Sequence, residues 1–116
     1  MAPVRIAVIG AGLIGRKHIE VLRSGNPDYT LAGVADPSPA ARQEAEKLGY
    51  ACFATIEEML DKAKPDGAII AVPNQMHVSA GLVCVARKVA IIIEKPVADS
   101  VAEALKLIKA AEQAGV

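Results

Sequence analysis

The chain has 116 residues, enough for one domain that buries roughly two-thirds of the surface its unfolded form exposes. Thirteen Lys and Arg residues balance 13 Asp and Glu residues, which leaves no electrostatic case for nucleic acid or an anionic membrane as partner. Hydrophobic residues make up 53% and aromatics only 3%, a balance that suits strands rich in Val, Ile and Ala and buried on both faces.

Val4 to Ile9 is a short apolar run that leads directly into Gly10-Ala11-Gly12-Leu13-Ile14-Gly15, and a helix is predicted from about Leu13 to Ser24. Strand, G-x-G-x-x-G, helix is the context in which the glycines read as a dinucleotide-binding motif. Gly10 permits a tight turn, Gly12 lets backbone approach a pyrophosphate, and Gly15 lets the helix lie close to the sheet. The free N–H groups and positive dipole end of that helix then offer an anion site. The plain alternative is a glycine-rich connection that binds nothing.

Gly25-Asn26-Pro27-Asp28 is a dense turn signal, after which Tyr29 to Ala35 reads as a second buried strand ending at Asp36. Ser38 and Pro39 have the chemistry of an N-cap and first helical residue, and that helix stops at Gly49. Ala51 to Ala54 is a short third strand. Thr55-Ile56-Glu57-Glu58 is a capping box opening a helix that ends near Lys64-Pro65. Gly67 to Val72 is a fourth strand closed by Pro73, and a helix is predicted from about Gln75 to Arg87. Val89 to Ile93 is a fifth apolar run, ended by Glu94-Lys95-Pro96. Ser100-Val101-Ala102-Glu103 is a second capping box, and its helix runs to Gly115.

Strand–helix alternation repeated five times implies an α/β fold, a parallel sheet with helices on both faces. Right-handed crossovers and a glycine turn after the first strand give a doubly wound, three-layer Rossmann sheet with strand order 3-2-1-4-5. Residues 1–116 form one dinucleotide-binding domain on this reading. The six-stranded version needs another strand where the chain reaches Gly115-Val116, so the sequence reads as a fragment without its sixth strand or C-terminal substrate domain. Strand five would then be a bare apolar edge, which predicts self-association into a homo-oligomer.

Cys52 and Cys84 lie in apolar surroundings, away from any C-x-x-C or ligand-spaced histidine; both read as small buried hydrophobes and no metal site is predicted. Val78 to Ile93, the longest apolar region, is broken by Arg87 and Lys88, which argues against a membrane span. No signal-peptide pattern precedes the first strand, so the chain reads as cytoplasmic.

Ligands of open α/β sheets bind at the carboxyl ends of the strands, so the informative residues should follow strands. Asp36 stands 21 positions beyond Gly15, matching the acidic residue that holds an adenosine ribose. Its charge would repel the 2′-phosphate of NADP and favours NAD, although Arg42 could soften that preference; Asp36 could also simply cap the next helix. Pro73 turns the chain after strand four, Asn74 is a plausible N-cap, and His77 would face the cleft from the first helical turn or serve as a packed helix residue. His18 reads as structural. After strand five, Lys95 could donate a hydrogen bond to a reacting oxygen or act as a base, or merely pair with Glu94 in solvent.

Taken together, Gly10-x-Gly12-x-x-Gly15, Val34-Ala35-Asp36, Val72-Pro73-Asn74-x-x-His77 and Glu94-Lys95-Pro96 resemble the Gfo/Idh/MocA (glucose–fructose oxidoreductase / inositol dehydrogenase) family over the whole chain. The resemblance implies an NAD(P)-dependent oxidoreductase acting on a small-molecule sugar, polyol or related substrate. By it, Lys95 is the catalytic residue of this portion, touching nicotinamide ribose and the reacting hydroxyl. Val72, Pro73, Asn74, His77, Glu94, Lys95 and Pro96 join Gly10, Ala11, Gly12, Leu13, Ile14, Gly15 and Asp36 around NAD. The family's catalytic His and Asp come from its C-terminal domain, and its Lys-Pro peptide is often cis. Two positions depart from the pattern: Lys88 replaces a common glycine, which predicts a lost left-handed cap, and Val72 replaces a frequent Thr. A non-catalytic nucleotide-sensing module of the same fold is the alternative. A methyltransferase-like domain is a third reading, but it has no role for Glu94-Lys95-Pro96.

Overall fold

The computed structural model describes residues 2–116. Five parallel strands, β1 (Val4–Ile9), β2 (Tyr29–Ala35), β3 (Cys52–Phe53), β4 (Gly67–Ile70) and β5 (Ala90–Ile93), lie in the order β3-β2-β1-β4-β5. Five helices connect or follow them: α1 (Leu13–Leu22), α2 (Pro39–Leu48), α3 (Ile56–Ala63), α4 (His77–Ala86) and α5 (Val101–Ala114). This is the doubly wound sheet the alternation predicts. Among the described residues no helix is long and apolar enough to cross a membrane.

Successive residues of a strand point to opposite faces, so each central strand supplies two cores. Ala7 and Ile9 of β1 and Ala68 and Ile70 of β4 pack with Met59, Leu60, Ala80 and Cys84 beneath α3 and α4. Val8, Val34 and Ile69 form the opposite core with Ile19 and Leu22 of α1. Ile9 and Ile70 are almost wholly buried, and each contributes about 1.5–3 kcal/mol by leaving water. A third cluster seats α5: Leu107 meets Val78 and Val85 of α4. Gly81 makes room for it: a Cβ there would lie 3.0 Å from both terminal carbons of Leu107, which would have to give by a few tenths of an ångström.

The predicted caps form. Ser38, Thr55 and Ser100 accept the Ala41, Glu58 and Glu103 N–H groups, and Pro39 opens α2. Gly49 and Gly115 end their helices in the left-handed conformation. Lys88 corrects one expectation: it adopts φ +58 after α4 without glycine's help, and its Nζ donates to the Ala114 carbonyl at 3.1 Å.

Two further differences concern strands and helices near the site. Residues 74–86 are not one helix; a 3₁₀ turn over Asn74–Met76 precedes α4, and no side chain of Asn74 caps it. The Met76 N–H donates to the Pro73 carbonyl at 2.8 Å, the i→i+3 bond that closes this turn before the α-helical register begins. The strands are shorter than their apolar runs, with β4 ending at Ile70 and β5 starting at Ala90. Along β1 and β2, Ile6 faces Leu31 and Ala7 faces Gly33, so Ala32 is an extra residue without a counterpart on β1. β5 is the outer strand, and Ile92 on it is 64% exposed.

Candidate functional site

The carboxyl ends of β1, β2 and β4 open onto a cleft of about 680 Å³, within the range of small-molecule sites. Its floor is the glycine turn. Gly10 takes φ +97, and a Cβ there would lie 2.8 Å from the backbone of Ala71. A Cβ on Gly15 would fall 1.7 Å from the Gly10 carbonyl oxygen, so Gly15 is what lets α1 sit against the turn. Gly12 differs: nothing lies within 4 Å of the position its Cβ would take. The protein's own packing does not require a glycine there.

The start of α1 completes the cradle. Where Ser38, Thr55 and Ser100 cap three other helices, no side chain caps α1. The orphan N–H groups and dipole of this ten-residue helix therefore face the cleft unsatisfied by protein side chains. Gly12, Leu13 and Ile14 line the cleft directly, and Ala71, Val72, Pro73 and Met76 form the wall beyond β4.

Asp36 borders the same cleft. Its Oδ2 accepts the Ala11 N–H at 2.7 Å and its Oδ1 accepts the Ser38 N–H at 2.8 Å. Burial pushes the carboxyl pKa up, but the Ala11 and Ser38 N–H groups, with the Ser38 hydroxyl, outweigh it and hold the pKa below the ordinary value. Asp36 is not the N-cap of α2, a role Ser38 takes. Pro37, Ala54, Thr55, Ile56 and Glu57 also line the cleft, which the sequence did not point to. The start of α3 is brought there by the β3–α3 connection, and the only signal for it was its place after a strand.

Asn74, Glu94, Lys95 and Pro96 follow β4 and β5, beyond this cleft's lining. Asn74 is exposed, Lys95 and Pro96 are exposed, and the Lys95–Pro96 peptide is cis. His77 does not turn its ring to the cleft. It is 1% exposed, with Nδ1 2.7 Å from the Pro96 carbonyl oxygen and Nε2 3.0 Å from that of Val72. His18, read as structural, donates from Nε2 to Glu94 Oε1 at 2.6 Å. Cys84 is wholly buried and Cys52 half-buried, and no group of His, Cys, Asp or Glu that could hold a metal occurs among the described residues.

A glycine turn under an uncapped helix, with a carboxylate at the end of the neighbouring strand, defines a dinucleotide-binding domain of the Rossmann class. The model of a family described as an oxidoreductase family with an NAD-binding Rossmann fold matches residues 4–116, and the chain belongs to that family, Gfo/Idh/MocA. It is 31% identical to the rhizopine catabolism protein MocA of Rhizobium meliloti over 97% of this chain and 35% of that protein. It is 32% identical to an inositol 2-dehydrogenase of Arthrobacter sp. over 97% of this chain and 34% of that enzyme. The WlbA dehydrogenase from Bordetella pertussis, solved with NADH and UDP-GlcNAcA, superposes with a TM-score of 0.91 at 26% identity, over 98% of this chain and 36% of that one. The chain thus spans about a third of the length of these relatives. Its cofactor is NAD, and the open space at Gly12 and the uncapped start of α1 fit a pyrophosphate.

Proposed function

We propose that residues 1–116 act as the cofactor-binding domain of an NAD-dependent dehydrogenase acting on a secondary alcohol of a sugar, polyol or related small molecule. The observation that carries this is Asp36, an ionised carboxylate at the end of β2 whose Oδ2 already accepts the Ala11 N–H of the glycine turn. The relatives named above, an inositol 2-dehydrogenase and a dehydrogenase solved with a nucleotide sugar, support the substrate class.

Each group then has one task. Gly10, Ala11, Gly12, Leu13, Ile14 and Gly15 present backbone to the pyrophosphate. Asp36 accepts hydrogen bonds from the adenosine ribose and repels a 2′-phosphate, so NAD is preferred over NADP. Val72, Pro73, Asn74 and His77 shape the nicotinamide end from the β4 side, and Glu94, Lys95 and Pro96 do so from the β5 side. When bound, NAD supplies the hydride acceptor or donor at C4 of its nicotinamide. Lys95 Nζ donates a hydrogen bond to the reacting oxygen and moves its proton.

The relatives are about three times as long, and we assign the remaining substrate-binding and proton-transfer groups to a C-terminal domain. The 116-residue chain alone therefore turns over no substrate. Free thiols at Cys52 and Cys84 suit a cytoplasmic protein, and the apolar β5 edge suits a homo-oligomer.

Calorimetric titration of the chain with NAD, NADH and NADP, beside Asp36→Ala, tests the reading. We expect NAD and NADH to bind in preference to NADP and the variant to lose that preference. Equal binding of NADP by the unaltered chain would overturn it.

A further inference from the structure

The chain has two histidines, and each bonds one flank of the stretch Glu94-Lys95-Pro96. We infer that His18 and His77 are positioning residues that hold Lys95, His18 through the Glu94 side chain and His77 through the Pro96 carbonyl. The inference rests on the proposed role of Lys95 at the nicotinamide end of the site.

Lys95 needs such support. Its side chain is exposed and makes no ion pair among the described residues. A four-carbon stem with a free ammonium head samples many rotamers, so its reach is set by how firmly the backbone beneath it is fixed. The sheet fixes that backbone only as far as Glu94, whose N–H donates to the Ile70 carbonyl at 3.3 Å. From there to the Ser100 cap the chain is irregular. The flanks of Lys95 are instead tied by side chains. His18 donates to Glu94 Oε1 at 2.6 Å on one side, and the His77 ring meets the Pro96 carbonyl at 2.7 Å on the other.

The two anchors lead to the two other parts of the site. His18 lies on α1, three positions beyond Gly15, so its bond joins the helix that starts at the glycine turn to the Lys95 loop. His77, fully buried at the head of α4, faces the Val72 carbonyl with its other nitrogen at 3.0 Å. Both acceptors are carbonyls, so whichever nitrogen carries the proton donates to one of the two strand-end loops, and a doubly protonated ring donates to both. A histidine buried only for packing has no need to meet the loops after β4 and β5 together.

The test is a double-mutant cycle on the chain, with NADH binding followed by fluorescence and Lys95 backbone order by NMR. The set is the unaltered chain, His18→Ala, His18→Gln, Lys95→Ala and His18→Ala/Lys95→Ala. His18 does not face the cleft, so a purely structural loss would be the same with or without Lys95. Positioning predicts that His18→Ala weakens NADH binding about 3–10-fold, the scale of one ordinary hydrogen bond. It also predicts little further loss when Lys95 is already Ala. The Lys95 amide order parameter should fall from near 0.85 towards 0.6 in His18→Ala. His18→Gln, which keeps a donor near the Nε2 position, should restore both, with thermal unfolding little changed throughout. His77→Leu, which removes both ring nitrogens, should lower the Lys95 order parameter, and His77→Asn, which keeps a donor near Nδ1, should restore it; unchanged order in His77→Leu overturns the His77 half of the inference.

Unchanged Lys95 order in His18→Ala overturns the inference, as do strictly additive effects in the cycle. If Lys95→Ala alone binds NADH as well as the unaltered chain, the assignment of Lys95 to the cofactor site fails instead. The order parameter then still shows whether the two histidines fix the loop.

Discussion

Asp36 Oδ2 and the Ala11 N–H stand 2.7 Å apart, and through them the end of β2 is bonded to the glycine turn that follows β1. The bond is stronger when Asp36 is ionised than when it is protonated, so it carries a pH signature. The folded pKa lies below the ordinary value, because the Ala11 and Ser38 N–H groups outweigh the opposing effect of burial. A lowered folded pKa contributes stability that is complete above the unfolded value of about 3.9 and is lost as pH falls through it towards the folded value. We expect the urea midpoint of the chain to drop between pH 5 and pH 3, and Asp36→Asn to flatten part of that drop while costing about 1–3 kcal/mol at pH 7. Parallel curves for the two proteins would sink the attribution to Asp36.

Gly12 and Gly15 separate binding from folding. Gly15→Ala places a Cβ 1.7 Å from the Gly10 carbonyl oxygen; a clash with backbone cannot relax, and we expect a loss above about 4 kcal/mol or failure to fold. Gly12→Ala meets no protein atom within 4 Å. It should leave the unfolding midpoint within about 1 kcal/mol of the original and yet weaken NAD binding by about tenfold or more. Equal loss of stability in both variants would show that Gly12, too, serves the fold.

The two thiols should react at different rates. Burial raises the Cys84 pKa to about 11, and the side chain has no exposed surface. Cys52 is half-buried, its pKa raised first by burial and then by the nearby Asp36 carboxylate. The thiolate is the reactive form, so native chain treated with iodoacetamide at pH 8 should gain label slowly at Cys52 and essentially none at Cys84. Mass spectrometry of the peptides checks this. Labelling of both in urea is the control, and early label at Cys84 in the native chain would contradict its placement on the buried face of α4.

The outer strand predicts association. Ile92 is 64% exposed on β5, whose other edge carries the unpaired backbone groups that invite a further strand. Sedimentation velocity should show concentration-dependent dimers or larger species, and Ile92→Lys should shift them towards monomer by placing a charge on the edge. A monomer at all concentrations would remove the edge as an association site.

What could be read before folding was what local chemistry dictates. Gly10, Gly12 and Gly15 act on their immediate surroundings, and the Ser38, Thr55 and Ser100 caps close within three residues. Strand order followed from alternation, handedness and the glycine turn after the first strand. The contacts that escaped are those made across the chain. His18 and Glu94 are 76 positions apart, and no spacing rule links one turn of α1 to the loop after β5. Which way His77 faces stayed open for a related reason: its ring is held between the carbonyls of Val72 and Pro96, the second 19 positions along the chain. Lys88 escaped because the left-handed conformation penalises lysine only modestly, and a bond to Ala114 helps hold it there.

The unmatched Ala32 bears on how such sites are found at all. Beyond it the register is Ala7 with Gly33, Val8 with Val34 and Ile9 with Ala35, so Asp36 arrives level with Gly10. The carboxylate is placed by the ladder, while the number of residues leading to it contains one that the ladder does not count. Distance along the chain from glycine turn to acid is therefore a path with slack in it. Chains that lack the bulge, or carry it elsewhere, can deliver the same carboxylate to the same turn from a different count, and a search that fixes the interval will pass them by.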